Sequence, residues 1–114
     1  MVTRIDQGSR MSQAVIHGDT VYLAGQVGTP GESITAQTNE VLAKIEDLLA
    51  RSGSGKHLLL RVTIWLADMA DFDGMNSVWD AWVADIELPA RATCGVGPAT
   101  PTYKVEIVAT AARE

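Results

Sequence analysis

Pro89-Ala90-Arg91-Ala92-Thr93-Cys94-Gly95-Val96-Gly97, with its return run Tyr103-Lys104-Val105-Glu106-Ile107-Val108-Ala109, is the stretch on which the reading of this chain turns. It reads as a β-hairpin: a short apolar strand, a Gly/Pro-rich turn (Gly97-Pro98-Ala99-Thr100-Pro101-Thr102) and a second, alternating strand. Each strand carries one ionisable residue where a sheet normally buries an apolar one. Arg91 opens the first strand and Glu106 lies within the second. If the turn sets Glu106 across from Thr93, both ionisable side chains share one sheet face, offset by two residues or roughly 7 Å. That gap would hold a small carboxylate at the guanidinium and a water near the glutamate. A one-residue slip, or a bulge at Gly95 or Gly97, puts the two on opposite faces, so the register stays open. The competing reading is a structural ion pair at a sheet edge or subunit contact, and residue types alone favour it slightly.

Composition narrows the class. The 114 residues make one domain, 1–114, large enough for a single modest core. With 46% hydrophobic and 20% charged residues, the chain has the make-up of an ordinary globular protein. A net charge of −5 without a Lys/Arg cluster argues against a nucleic-acid partner. The opening Met1-Val2-Thr3-Arg4-Ile5-Asp6 holds no apolar run of signal-peptide length, and no later run is long enough to span a bilayer, so a cytoplasmic setting is expected. The single cysteine excludes an internal disulfide. As a nucleophile Cys94 would need a base, and neither His17 nor His57 belongs to its element, so it is expected to be a small buried core residue.

Before the hairpin, Arg4 to Gln7 reads as a short edge strand. The runs 13–17 and 20–24 read as two strands joined at Gly18-Asp19, with His17 solvated beside the turn. Residues 25–31 break the pattern and are expected to be loop. From Ser33 the period changes. Ile34, Thr38, Val41, Ile45, Leu48 and Leu49 form one helix face, with Ser33 as N-cap and Gly53 as the left-handed residue that ends the helix. Gly53-Ser54-Gly55-Lys56 looks like a phosphate loop but fails: position 50 is Ala, His57 replaces Ser/Thr, and a helix precedes it. Leu58 to Leu66 is apolar on both faces, Leu58, Leu60, Val62, Ile64 and Leu66 on one side, which reads as a central strand. Asp71 then caps a second helix whose inner face is Phe72, Met75, Val78, Trp79, Trp82 and Val83, an aromatic stripe expected to be core.

The element order β-β-(β)-α-β-α-β-β predicts an α+β protein with one sheet and two helices on one face. The opposite face needs cover that so short a chain cannot supply, and self-association is the economical answer.

In order and spacing these residues resemble the RidA/YjgF family over nearly the whole chain. The landmarks are Leu23-Ala24-Gly25-Gln26-Val27, Asp68-Met69-Ala70-Asp71-Phe72 with Asn76, and Pro89-Ala90-Arg91 followed fifteen residues after the arginine by Glu106. The resemblance implies a chorismate-mutase-like fold assembled as a homotrimer with clefts between subunits. It implies hydrolysis of reactive enamines and 2-imino acids to 2-keto acids and ammonia, with neither metal nor cofactor. Arg91 would grip the substrate carboxylate and Glu106 would position or deprotonate the attacking water. Asn76, Thr93, Met11 and Ala24 fall at the other substrate-binding positions.

This chain departs from the family pattern at three of those positions. The pocket tyrosine falls at Met11, the serine at Ala24, and the cysteine two residues after the arginine at Thr93, with Cys94 displaced by one. Two lost hydroxyls bear on substrate preference and rate more than on reaction type. They also keep open a second reading, a non-catalytic trimeric module that binds small carboxylate metabolites. A third, ribonuclease activity, is weakest for an acidic chain without a basic or aromatic strip.

Overall fold

The computed structural model describes residues 1–96 and 102–114. The strands are β1 (Val2–Ile5), β2 (Ala14–His17), β3 (Thr20–Leu23), β4 (Gln26–Val27), β5 (Leu59–Leu66), β6 (Ala90–Gly95) and β7 (Val105–Ala112). The helices are α1 (Ile34–Arg51) and α2 (Phe72–Trp82). One mixed sheet has the order β1-β2-β3-β7-β5-β6, with β4 added against β7. The expected α+β class with two helices on one face is thus what the chain forms.

α1 begins and ends as its sequence predicts. The Ser33 hydroxyl accepts the Ala36 N–H at 3.1 Å, and Gly53 takes a φ of +76° just beyond the C-terminus. Its inner face, Val41, Leu42, Ile45, Leu48 and Leu49, is buried against the sheet together with Met75 and Trp79 of α2. Each such side chain contributes roughly 1.5–3 kcal/mol by leaving water. A buried amide joins the layers: Gln37 Nε2 donates to the Glu32 and Thr102 carbonyls, and its Oε1 accepts the Lys104 N–H, each at 2.9 Å. That clamp delivers the chain into β7.

The expected hairpin does not form. β6 runs parallel to β5, β7 runs antiparallel to β5 on its other side, and so β5 lies between the two strands expected to pair. The physical reason is the crossover. β5, α2 and β6 make a β-α-β unit, whose helix returns the chain to the start of a parallel neighbour. The strongly apolar β5 takes an interior place, flanked on both sides, and β6 is left at the edge. The Gly97–Pro101 part of the expected turn lies outside the described residues.

Four smaller expectations are corrected. A register shift between Leu59 and Arg61 buries Leu59 at 7% exposure and leaves Leu60 at 51%, so the core face of β5 is Leu59, Val62, Ile64 and Leu66. Gln26-Val27, expected to be loop, pairs with Ile107 and Glu106. Asp71 makes no side-chain cap at α2; Asp68 caps the preceding 3-10 turn by accepting the Ala70 N–H at 2.9 Å. Cys94 is exposed, not core, because it falls opposite Trp65 on the face away from the helices.

That outer face is defined by strand parity. Val15, Tyr22, Thr110, Val108, Thr63, Trp65 and Glu106 alternate with the buried set and point away from both helices. The molecule is only 19 Å across its thinnest axis, room for one sheet and one helix layer. No second layer of this chain covers the outer face among the described residues.

Candidate functional site

The six positions singled out from the sequence separate into two groups. Arg91 is opposite Val62 of β5 and therefore points to the helix face, whereas Glu106 is opposite Trp65 and points to the outer face. Two strand spacings and a three-residue offset along β5 put their Cα atoms about 14 Å apart. The shared-face geometry expected for the pair is corrected: opposite parity and the intervening strand prevent these two side chains of one chain from meeting around one small molecule.

The first group surrounds Arg91. Its Nη1 donates to Asn76 Oδ1 of α2 at 2.7 Å, and its guanidinium carbon lies 5.3 Å from the centroid of the Trp79 ring. One edge of the guanidinium is thus fixed by an amide and one face by an indole. No carboxylate among the described residues pairs with it within 4 Å. It opens on a cleft of about 320 Å³ lined by Asn76, Trp79, Asp80, Leu88, Pro89 and Arg91. Thr93 is two residues along the same face of β6, and its hydroxyl is buried with no hydrogen-bond partner among the described residues. A guanidinium held this way, with donors free, is suited to a planar carboxylate.

The second group surrounds Glu106. Its carboxylate lies against Gly25: a Cβ built there would overlap Oε2 and come within 2.9 Å of the carboxyl carbon. Only a residue without a side chain allows this approach. Ala24 precedes it and donates its N–H to the Gln13 carbonyl at 2.9 Å, while Gln26 Nε2 donates to Gln13 Oε1 at 2.9 Å. Two residues before Gln13, Met11 is half exposed and lines a second cleft of about 360 Å³. Ala24 and Glu106 therefore belong to one neighbourhood, which Met11 joins only through the backbone to Gln13, and Asn76, Arg91 and Thr93 belong to another.

Sequence reasoning missed two members. Trp79 was assigned to the core by its helical spacing; it is buried, yet one face of its ring supports Arg91. Gly25 stands between two short strands, a place where a glycine commonly marks close backbone approach. His17 and His57 are exposed. Among the described residues no group of three or more His, Cys, Asp or Glu could hold a metal ion, and no helix is long and apolar enough to cross a membrane.

Comparison with known proteins adds the lineage. A family model described as endoribonuclease L-PSP matches residues 1–113. A RutC family protein of Haemophilus ducreyi is 44% identical, over 98% of this chain and 97% of that one. A crystal structure of a YjgF family member from Neisseria meningitidis superposes with a TM-score of 0.95 at 40% identity, covering 100% of this chain and 96% of the other. More distantly, the chloroplastic reactive intermediate deaminase A of Arabidopsis thaliana is 32% identical over 84% of this chain and 54% of that protein.

Proposed function

We propose that this chain, which belongs to the endoribonuclease L-PSP family of RutC and YjgF proteins, is a hydrolase of reactive 2-imino and enamine acids. The observation that carries the proposal is Arg91: a guanidinium held by Asn76 and Trp79, free of any carboxylate partner within 4 Å among the described residues, and open to a cleft. The relative named reactive intermediate deaminase supports the reaction class.

The chemistry follows from the residues. Arg91 binds the substrate carboxylate and so orients the adjacent C=N carbon. Glu106 takes a proton from a water as the water oxygen bonds to that carbon and passes it to the imine nitrogen, giving a carbinolamine. The C–N bond then breaks as the carbinol O–H proton moves to the nitrogen, so that ammonia leaves and the carbinol oxygen becomes the 2-keto group. No electron changes hands. General-base assistance of this kind contributes roughly 10²–10⁴-fold.

Since Arg91 and Glu106 face opposite ways in one chain, the active site on this reading is completed between chains. One subunit supplies the Asn76–Arg91–Thr93 wall and the next supplies Met11, Ala24 and Glu106. A homotrimer closed by cyclic symmetry uses each wall once and covers the outer sheet face at the same time. The second reading, carboxylate binding without turnover, is favoured by Met11 and Ala24, which leave their wall without side-chain hydroxyls.

A coupled assay separates them. An amino-acid oxidase generates imines from a panel of amino acids, and semicarbazide traps what escapes hydrolysis. The wild type is expected to lower the trapped product and Arg91→Ala to leave it unchanged while keeping the same oligomeric size. If the wild type fails to compete with the trap and still binds 2-keto acids by calorimetry, the non-catalytic module is correct.

A further inference from the structure

The cleft on which Arg91 opens carries a second charge that the hydrolysis of a simple imine does not use. Of the residues that line it, Arg91 is the one cation and Asp80 the one anion; Asn76, Trp79, Leu88 and Pro89 complete it. Asp80 is exposed, and among the described residues its carboxylate forms no ion pair and no side-chain hydrogen bond. It does not neutralise Arg91, whose guanidinium donates to the neutral Asn76 amide instead.

Helix geometry sets the spacing of the two charges. Asn76 and Asp80 are four residues apart on α2, so they share one face of the helix, one turn and roughly 6 Å apart along its axis. Asn76 holds the guanidinium through its 2.7 Å hydrogen bond, the guanidinium carbon lies 5.3 Å from the Trp79 ring centroid, and Asp80 follows one turn beyond Asn76. Leu88 and Pro89 supply apolar surface in the same space. A cation, an apolar patch and an anion thus line about 320 Å³, a volume within the ordinary range of small-molecule sites. All of these residues belong to one chain, so no assembly is needed to bring them together.

We propose that Asp80 is a specificity-determining residue of the Arg91 cleft, so that the preferred substrates are 2-imino acids with a cationic side chain and those with a second carboxylate are disfavoured. This rests on the imine-hydrolase reading. A substrate whose carboxylate is bound by Arg91 lies in the same cleft as an unpaired negative charge. A guanidinium or ammonium on its side chain is attracted by Asp80, and a second carboxylate is repelled. The interaction is Coulombic and falls off only as the inverse of distance, so it acts without direct contact. Leu88 and Pro89 give the methylene groups of a long side chain an apolar surface to cover.

The test compares imines made by oxidases from arginine and from glutamate, with the wild type and with Asp80→Asn, which removes the charge and keeps the shape. The wild type is expected to favour the arginine-derived imine. In the variant, kcat/KM is expected to fall on that imine and to rise on the glutamate-derived one, each by roughly three- to tenfold. Opposite signs on the two substrates are what a merely structural role for Asp80 cannot give. An unchanged ratio of the two kcat/KM values, or a loss of the same size on both, would overturn the proposal. A change in oligomeric size with both activities reduced would also overturn it, by making Asp80 a subunit contact. Calorimetry with the 2-keto acids of arginine and of glutamate supplies an arm independent of turnover. Tighter binding of the cationic keto acid by the wild type, lost in Asp80→Asn, supports charge selection in this cleft even if no imine is hydrolysed. Equal binding of the two, or binding of neither, rejects it.

Discussion

Arg91 and Glu106 stand on opposite faces of one sheet, with β5 between their strands. A site that uses both must borrow one of them from another subunit. Inactive Arg91→Ala and inactive Glu106→Gln chains, unfolded together and reassembled, are therefore expected to regain activity. In a randomly mixed cyclic trimer about a quarter of the interfaces carry both intact residues. Recovery near that fraction, measured by imine hydrolysis, supports a shared site. No recovery in mixed oligomers of correct size rejects it.

Asn76 reaches Arg91 through one charge-assisted hydrogen bond of 2.7 Å. Asn76→Ala is expected to raise KM for imino acids by roughly tenfold or more, the ordinary worth of such a bond, with kcat changed less. Trp79→Phe keeps a ring beneath the guanidinium and is expected to bind nearly as well, whereas Trp79→Leu removes the cation–π contact, worth roughly 0.5–2 kcal/mol. Steady-state kinetics with melting curves on the same samples separate lost positioning from lost packing.

Gly25 is the seat of the Glu106 carboxylate. A methyl group at position 25 meets the end of a flexible side chain rather than backbone, so Gly25→Ala is expected to fold and to displace the carboxylate. Activity should fall by roughly the 10²–10⁴-fold attributed to a general base, with a melting temperature close to that of the wild type. Retained activity would show that the base need not sit there.

Two exposed carboxylates make stability depend on acid pH. The hydrogen bond from Arg51 holds Asp6 below its ordinary pKa, and the hydrogen bonds from Thr29, its backbone N–H first, do the same for Glu40. A folded-state pKa below the unfolded one stabilises fully above the ordinary carboxylate range, roughly pH 4 to 4.5, and the gain is lost as pH falls through the lowered value. Asp6→Asn is thus expected to melt below the wild type at pH 6. The two curves should converge as pH falls through the lowered value. A constant gap across that range would refute the assignment.

Much of this molecule was legible in its residues. The helix over 34–51 follows from apolar spacing, the Ser33 cap and Gly53, and the buried face of α1 is the one that spacing picks out. The apolar run that becomes β5 marks an interior strand because only a strand flanked by others tolerates so little polarity. Arg91, Glu106 and Asn76 stand out as candidates only through the family resemblance, since residue type alone favours a structural ion pair for the first two. The helix and strand signals are local properties, written in periods of two and 3.6 and in single residues with a conformational or chemical bias.

Tertiary structure alone decided which strands are neighbours, and with them the faces. Nothing local distinguishes two strands joined by a Gly/Pro-rich connection as a hairpin from the same strands separated by a third. The choice depends on the α2 crossover, which makes β6 parallel to β5, and on the burial gained by placing Leu59–Leu66 between two partners. That choice moved Glu106 to the outer face and Cys94 out of the core, set Arg91 on Trp79, and placed a carboxylate over Gly25. Side-chain direction in a sheet is a matter of parity, and parity is fixed only when long-range pairing fixes the register.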